Sequence, residues 1–128
     1  MESCHCSLLC RRRAIAAQVG LDHIATAQHC IANRLVTNLK VVVGVTSLKE
    51  IDAELIFGVS KAIKHPDYHK FLLWKGHDIA ILKLSKRIKF KAGQIEPACI
   101  KHQTLPLKEP LMLAGFGATS TVYVSSAL

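Results

Sequence analysis

A histidine sits inside the segment "IATAQHC", and 49 residues later an aspartate stands at the head of "DIAILKL". An acid in front of an apolar run is out of place unless something pairs with it. A carboxylate that accepts a hydrogen bond from one imidazole nitrogen holds the ring in one tautomer. It also stabilises the imidazolium that forms when the other nitrogen takes a proton. His29 and Asp78 are therefore candidates for a general base and the group that orients it. Spacing alone leaves the pairing open. His77 abuts Asp78, and His5, His23, His65, His69 and His102 supply further imidazoles.

Cys30 follows His29 directly and admits two chemistries. As a thiolate nucleophile it would use His29 as its base. As half of a disulfide it would tie the histidine segment to another part of the chain. Neighbouring residues on an extended strand point to opposite faces, which favours the disulfide. Cys10 lies upstream across one hairpin-sized segment, and closing that loop would remove about 3 kcal/mol of unfolded-chain freedom. The five cysteines, Cys4, Cys6, Cys10, Cys30 and Cys99, point to a disulfide framework in an oxidising compartment, with an odd one left over. Zinc sites need pairs such as C-x2-C with distant histidines. "CHC" near the start does not supply one, so no metal and no other cofactor is expected.

These residues must be positioned by short elements. Apolar runs at 14–19, 23–26, 39–48, 54–63, 78–84 and 110–117 are bounded by Gly, Pro, Asp and Ser. Such runs predict an all-β sandwich or barrel. The glycine inside "LKVVVGVTSL" marks a bulge or a close backbone approach. "KHPDY" is a turn, because proline keeps the residue before it out of helical space. Only "QHCIANRLVTNL" could carry a helix, and a single turn after His29 is enough there.

With 128 residues, the length suits one domain with a modest core. No apolar run reaches the roughly 20 residues that a membrane span needs. Lysine and arginine outnumber acids 17 to 9, for a net charge of +8. The excess is scattered, with Arg11–Arg13 as the one tight cluster. Lys83, Lys86, Lys89 and Lys91 alternate with apolar residues and read as the outer face of strands. A solvated basic surface is expected, with no nucleic-acid partner. The first residues carry no basic stretch followed by an apolar run, so no signal peptide is visible.

Taken in order, these segments resemble the trypsin/chymotrypsin-like serine endopeptidases. "IATAQHC" is similar to the family's hydrophobic-T-A-A-H-C segment, and "DIAILKL" to its D-I-A-L-L-x-L segment. Between them, "VVVGVTSL" resembles the strand after the histidine turn, and "FGVSKAIKHPDY" the run into the aspartate loop. "IEPACI" resembles the segment that leaves the first barrel, and "AGFGAT" the S-G-W-G-x-T opening of the second. The resemblance implies a partial trypsin-like peptidase domain over 1–128. Residues 10–108 would form a six-stranded antiparallel first barrel, and 109–128 the start of a second. It implies that His29 is the general base, that Asp78 orients it, and that Cys30 pairs with Cys10. Cys99 would pair with Cys4 or Cys6. The chemistry would be attack by a serine hydroxyl, in the chain order His, Asp, Ser.

Several positions depart from the family pattern. Its nucleophile lies in G-D-S-G-G, farther beyond the aspartate than the 50 residues that follow Asp78 here. None of Ser85, Ser120, Ser125 or Ser126 has that setting. The serine nucleophile and the oxyanion-hole amides are thus expected to be absent, and the chain inactive alone. No I-V-G-G-like stretch precedes Cys10. Gln28 replaces a small residue beside the histidine, and Phe116 stands where tryptophan is common. The 19 residues between Cys10 and Cys30 exceed the usual spacing and suggest a longer hairpin loop. A polypeptide substrate is expected if a second barrel completes the site. A protease inhibitor is a further partner, and the open barrel face could promote self-association. The alternative is a non-catalytic module that binds a protease, an inhibitor or a polyanion. Family habit and cysteine usage place the chain outside the cell.

Overall fold

β-branched and apolar residues in short runs favour strands, and the turn residues between them fix where each strand stops. The computed structural model describes residues 6–9, 14–45, 49, 51–98, 100 and 108. Its strands are β1 (Cys6–Leu9), β2 (Ala14–Gln18), β3 (His23–Thr26), β4 (Lys40–Val43), β5 (Ile56–Lys64) and β6 (Ala80–Leu84). All the pairings are antiparallel, in the order β1-β2-β3-β6-β5-β4, and β1 returns to β4 to close the ring. Closure leaves these strands without an open edge. The expected all-β, antiparallel character is met. Helical structure among the described residues is limited to 3₁₀ turns at Gln28–Cys30, Val36–Asn38, Ala53–Leu55 and Leu73–Lys75. No helix among them is long and apolar enough to cross a membrane.

Strand boundaries differ from the sequence pattern in physically readable ways. β1 is absent from the predicted set, because "CSLL" has no turn punctuation to set it off from its cysteine-rich surroundings. The run 39–48 leaves the sheet at Val43, because Gly44 takes a φ of 68°. A side chain there would stand 2.6 Å from Cγ1 of Ile95. The glycine therefore does mark a close approach. β5 begins at Ile56, after a 3₁₀ turn that the run 54–63 does not announce. β6 begins at Ala80, so Asp78 lies in the loop before the strand and does not open it. The run 110–117 lies outside the described residues, as do Cys4, Cys10, Cys99, Arg11–Arg13, His5 and His102.

β6 alternates as a half-buried strand should: Ala80, Leu82 and Leu84 are buried and Lys83 is exposed. Ile24 of β3 and Phe57 and Val59 of β5 join them in the core. β4 breaks the alternation, since Val41, Val42 and Val43 are all buried, so this strand is covered on both sides. Each such side chain contributes about 1.5–3 kcal/mol by leaving water. The lysines past β6 are a correction to the expected pattern. β6 ends at Leu84, so Lys86, Lys89 and Lys91 sit in the following loop and not on a strand face.

Candidate active site

Register explains how residues 49 apart in sequence meet. β3 and β6 pair with Thr26 opposite Ala80. In an antiparallel pair, the chain leaving one strand lies beside the chain arriving at the other. β3 leaves Thr26 into a tight 3₁₀ turn, closed by the Cys30 N–H on the Ala27 carbonyl (3.2 Å) and the Ile31 N–H on that of Gln28 (3.0 Å). Gln28 and Ile31 are buried on either side of the turn. They hold it to the barrel while the His29 side chain stays 56% exposed.

Asp78 grips His29 at two points. Its Oδ1 accepts the His29 backbone N–H at 2.8 Å, and its Oδ2 lies 2.6 Å from Nδ1. An ionised carboxylate only accepts, so Nδ1 carries a proton, and in the neutral ring the lone pair is then on Nε2. Partial burial alone would push the Asp78 carboxyl up. Hydrogen bonds from the His29 ring and backbone, with the charge on that ring, outweigh burial and hold the carboxyl below its ordinary value. Burial and then the Asp78 charge push the nearby Tyr68 phenol up. The site thus presents a fixed carboxylate, an oriented imidazole whose Nε2 faces the Cys30 sulfur, and a neutral phenol.

The other imidazoles have different company. His77 stacks on His65 with centroids 4.7 Å apart, His23 pairs with Asp22 at 2.8 Å, and His69 lies against Phe71. Of the described histidines, His29 is therefore the one that engages Asp78. His65, Asp67 and His77 bring potential metal ligands within 4.8 Å of one another. Stacking brings His65 and His77 together, the Asp67 backbone N–H donates to His65 Nδ1 at 3.2 Å, and the group includes neither His29 nor Asp78.

Gln28 proves to be more than a local packing change. It is buried, and its Oε1 accepts the backbone N–H of His65 at 2.6 Å. This bond ties the histidine turn to the loop that leads on to Asp78. A long amide beside a catalytic-type histidine was the available signal in sequence. Cys30 also behaves differently from its sequence reading. It lies in a 3₁₀ turn and not on a strand, so its side chain does not alternate with that of His29. Its sulfur sits 3.4 Å from His29 Nε2. The Cys10 to Cys30 pairing falls on a residue outside those described.

A family model described as Trypsin matches residues 7–127. The chain is 37% identical over 93 residues to Venom serine protease 34 of Apis mellifera, a match covering 69% of this chain and 23% of that protein. It is 31% identical over 104 residues to Chymotrypsin-C of Bos taurus, covering 78% of this chain and 37% of the relative. It is 42% identical over 102 residues to Granzyme M of Rattus norvegicus, covering 75% and 37%. The chain thus spans well under half the length of these curated relatives.

Proposed function

This chain belongs to the trypsin family of serine proteases, and on that premise we propose that His29 is the general base of a serine endopeptidase and Asp78 its orienting partner. One observation carries the reading: both oxygens of Asp78 are spent on His29, one on its backbone and one on its ring. That arrangement fixes the Nδ1–H tautomer and leaves Nε2 to take a proton from a serine hydroxyl as it attacks a peptide carbonyl. The resulting imidazolium is stabilised by Asp78 and returns its proton to the leaving amine.

The described barrel is the first of two in this reading, and residues 109–128 begin the second. The second barrel supplies the serine and the amides that stabilise the tetrahedral oxyanion. No G-D-S-G-G segment occurs within the 128 residues, so they are inactive by themselves. Phe71 and Trp74, in the loop leading to Asp78, are 70% and 77% exposed, and Ile79 beside it is also exposed. Apolar groups so placed suit coverage by a second barrel or by a polypeptide substrate. Pairing of Cys30 with Cys10 would anchor the histidine turn, and Cys99 would pair with Cys4 or Cys6. Such bridges, like the family, suit an extracellular protein.

Two measurements test the proposal. Transcripts read through codon 128 should continue in frame into a G-D-S-G-G segment. In the protein so completed, His29→Ala should cut kcat for a peptide ester by about ten-thousandfold or more. Undiminished turnover in His29→Ala would sink the assignment. Ester turnover by the 128 residues alone, abolished by His29→Ala, would overturn the claim that they are inactive.

A further inference from the structure

A cleft of about 420 Å³ opens where β6 runs out and β5 begins. Its rim carries Lys86, Arg87, Lys89 and Lys91, and a single acid, Glu54. None of these four cations forms an ion pair with a carboxylate of the described residues. Its apolar part is supplied by Leu55, Phe57, Phe90 and Ile95. Phe57 and Ile95 are buried and form the floor, while Phe90 stands 46% exposed at the side. Lys86 Nζ lies 5.1 Å above the Phe57 ring, so part of the floor is already capped by a cation.

The cleft is separate from the site of His29. Asp78 precedes β6 and Lys86 follows it, and the five residues of that strand span about 16 Å. A reaction at His29 therefore makes no use of these cations.

We propose that this cleft binds an acidic polypeptide segment that also carries apolar side chains. Cations with no carboxylate partner among the described residues, set around a concave surface, draw in anions and raise the encounter rate. Charge alone would suit any polyanion, and two features narrow the class. The apolar wall gains nothing from a sulfated polysaccharide, which has no apolar group to bury, but it fits a leucine or phenylalanine side chain. Phe57 is buried beneath Lys86, which leaves Phe90 as the single exposed aromatic ring lining the cleft, short of the succession of platforms on which single-stranded nucleic acid stacks. Glu54 points the same way: a uniformly anionic polymer meets only repulsion there, whereas a peptide backbone N–H can donate to it. The proposal is independent of the peptidase reading, because it concerns binding at the far end of the barrel.

The test uses the 128-residue chain and a fluorescein-labelled peptide of alternating glutamate and leucine, followed by fluorescence anisotropy. Binding is expected to weaken with added salt. The double variant Lys89→Glu/Lys91→Glu should weaken it by about tenfold or more, and Phe90→Ala by about threefold to tenfold. A matching peptide with serine in place of leucine should bind as poorly to the native chain as the leucine peptide binds to Phe90→Ala. Circular dichroism checks that both variants keep the barrel. Equal affinity for the two peptides, or tighter binding of heparin or single-stranded DNA than of the leucine peptide, would overturn the assignment to polypeptide. Peptide binding indifferent to both variants would overturn the site. No hydrolysis is read, so either failure leaves the peptidase proposal untouched.

Discussion

The two ends of β6 handle charge in opposite ways. Before Ala80 the chain places one carboxylate, and each of its oxygens bonds the same histidine. After Leu84 it places four cations around an apolar floor, and none of them is paired with a carboxylate of the described residues. A committed charge fixes the geometry and tautomer of its partner, which is what proton transfer requires. Cations without a carboxylate partner remain available to an incoming anion. One strand thus separates an end built for orientation from an end built for attraction.

The strongest way to break this contrast is to neutralise one end and read the other. In the protein completed by a second barrel, Asp78→Asn should lower kcat for a short peptide ester by about ten-thousandfold, because the amide no longer enforces the Nδ1–H tautomer. Lys89→Glu/Lys91→Glu should leave the same kcat within about twofold, since a short ester reaches only the near end and surface charges that far off are largely screened. A comparable fall in both variants would show that the two ends act as one site.

Two substitutions with smaller effects sharpen the comparison by loosening each end separately. Gly44→Ala forces a positive φ on a residue with a Cβ and drives that Cβ against Ile95, which also lines the cleft. It should cost about 1–3 kcal/mol, read as a lowered denaturant midpoint. Binding of the acidic peptide should weaken with it. The downfield proton resonance of the His29–Asp78 hydrogen bond should stay in place. Gln28→Leu acts on the other end. It strips the His65 N–H of its acceptor and should cost about 1–2 kcal/mol. Here the His29 resonance should broaden or shift while peptide binding holds. Gln28→Glu keeps an acceptor oxygen and should restore the resonance, whereas Gln28→Met keeps the length without a strong acceptor and should not, a split that a purely steric role for Gln28 would not produce.

The two ends were not equally legible in the amino-acid sequence. His29 and Asp78 stand in segments whose residue types announce them, and short runs with turn residues between them announce antiparallel strands. What the sequence pattern could not supply was the register that sets Thr26 beside Ala80, since pairing partners are chosen by the whole ring. The strand rule used to separate Cys30 from His29 does not apply, because both lie in a 3₁₀ turn. The basic end was misread for a related reason. Lysines interleaved with apolar residues continue past Leu84, at Lys86, Lys89 and Lys91, but the strand does not. The Ser85 N–H still reaches the Gly58 carbonyl opposite it, but the Ile88 N–H bonds that of Leu21, three residues out of register with β3, so the chain bends away from the ladder. Alternation records which residues could face outward, while only tertiary hydrogen bonds decide where a strand ends. Gln28 shows a third limit: its partner is a backbone N–H 37 residues away, which no local pattern encodes.

The smallest expected effect concerns acid, and it follows from the direction of the Asp78 shift. Its carboxyl is held below the ordinary value of 3.8 in the folded chain. The pair's contribution to stability is therefore fully present above that ordinary value and is lost as pH falls through the lower, folded one. His29 is more than half exposed, so solvent screens the pair and its contribution should be only about 0–1 kcal/mol. Urea midpoints of the native chain and of Asp78→Asn should differ by a constant amount above about pH 5 and converge below about pH 4. Lys89→Glu/Lys91→Glu provides the counterpart at the other end of β6. Its lysines have no carboxylate partner among the described residues to lose, so its midpoint should track that of the native chain until the introduced glutamates themselves take up protons. Convergence of the Asp78→Asn midpoints only as pH rises would mean that the carboxylate is not the charged partner of His29, and the contrast between the two ends would fall with it.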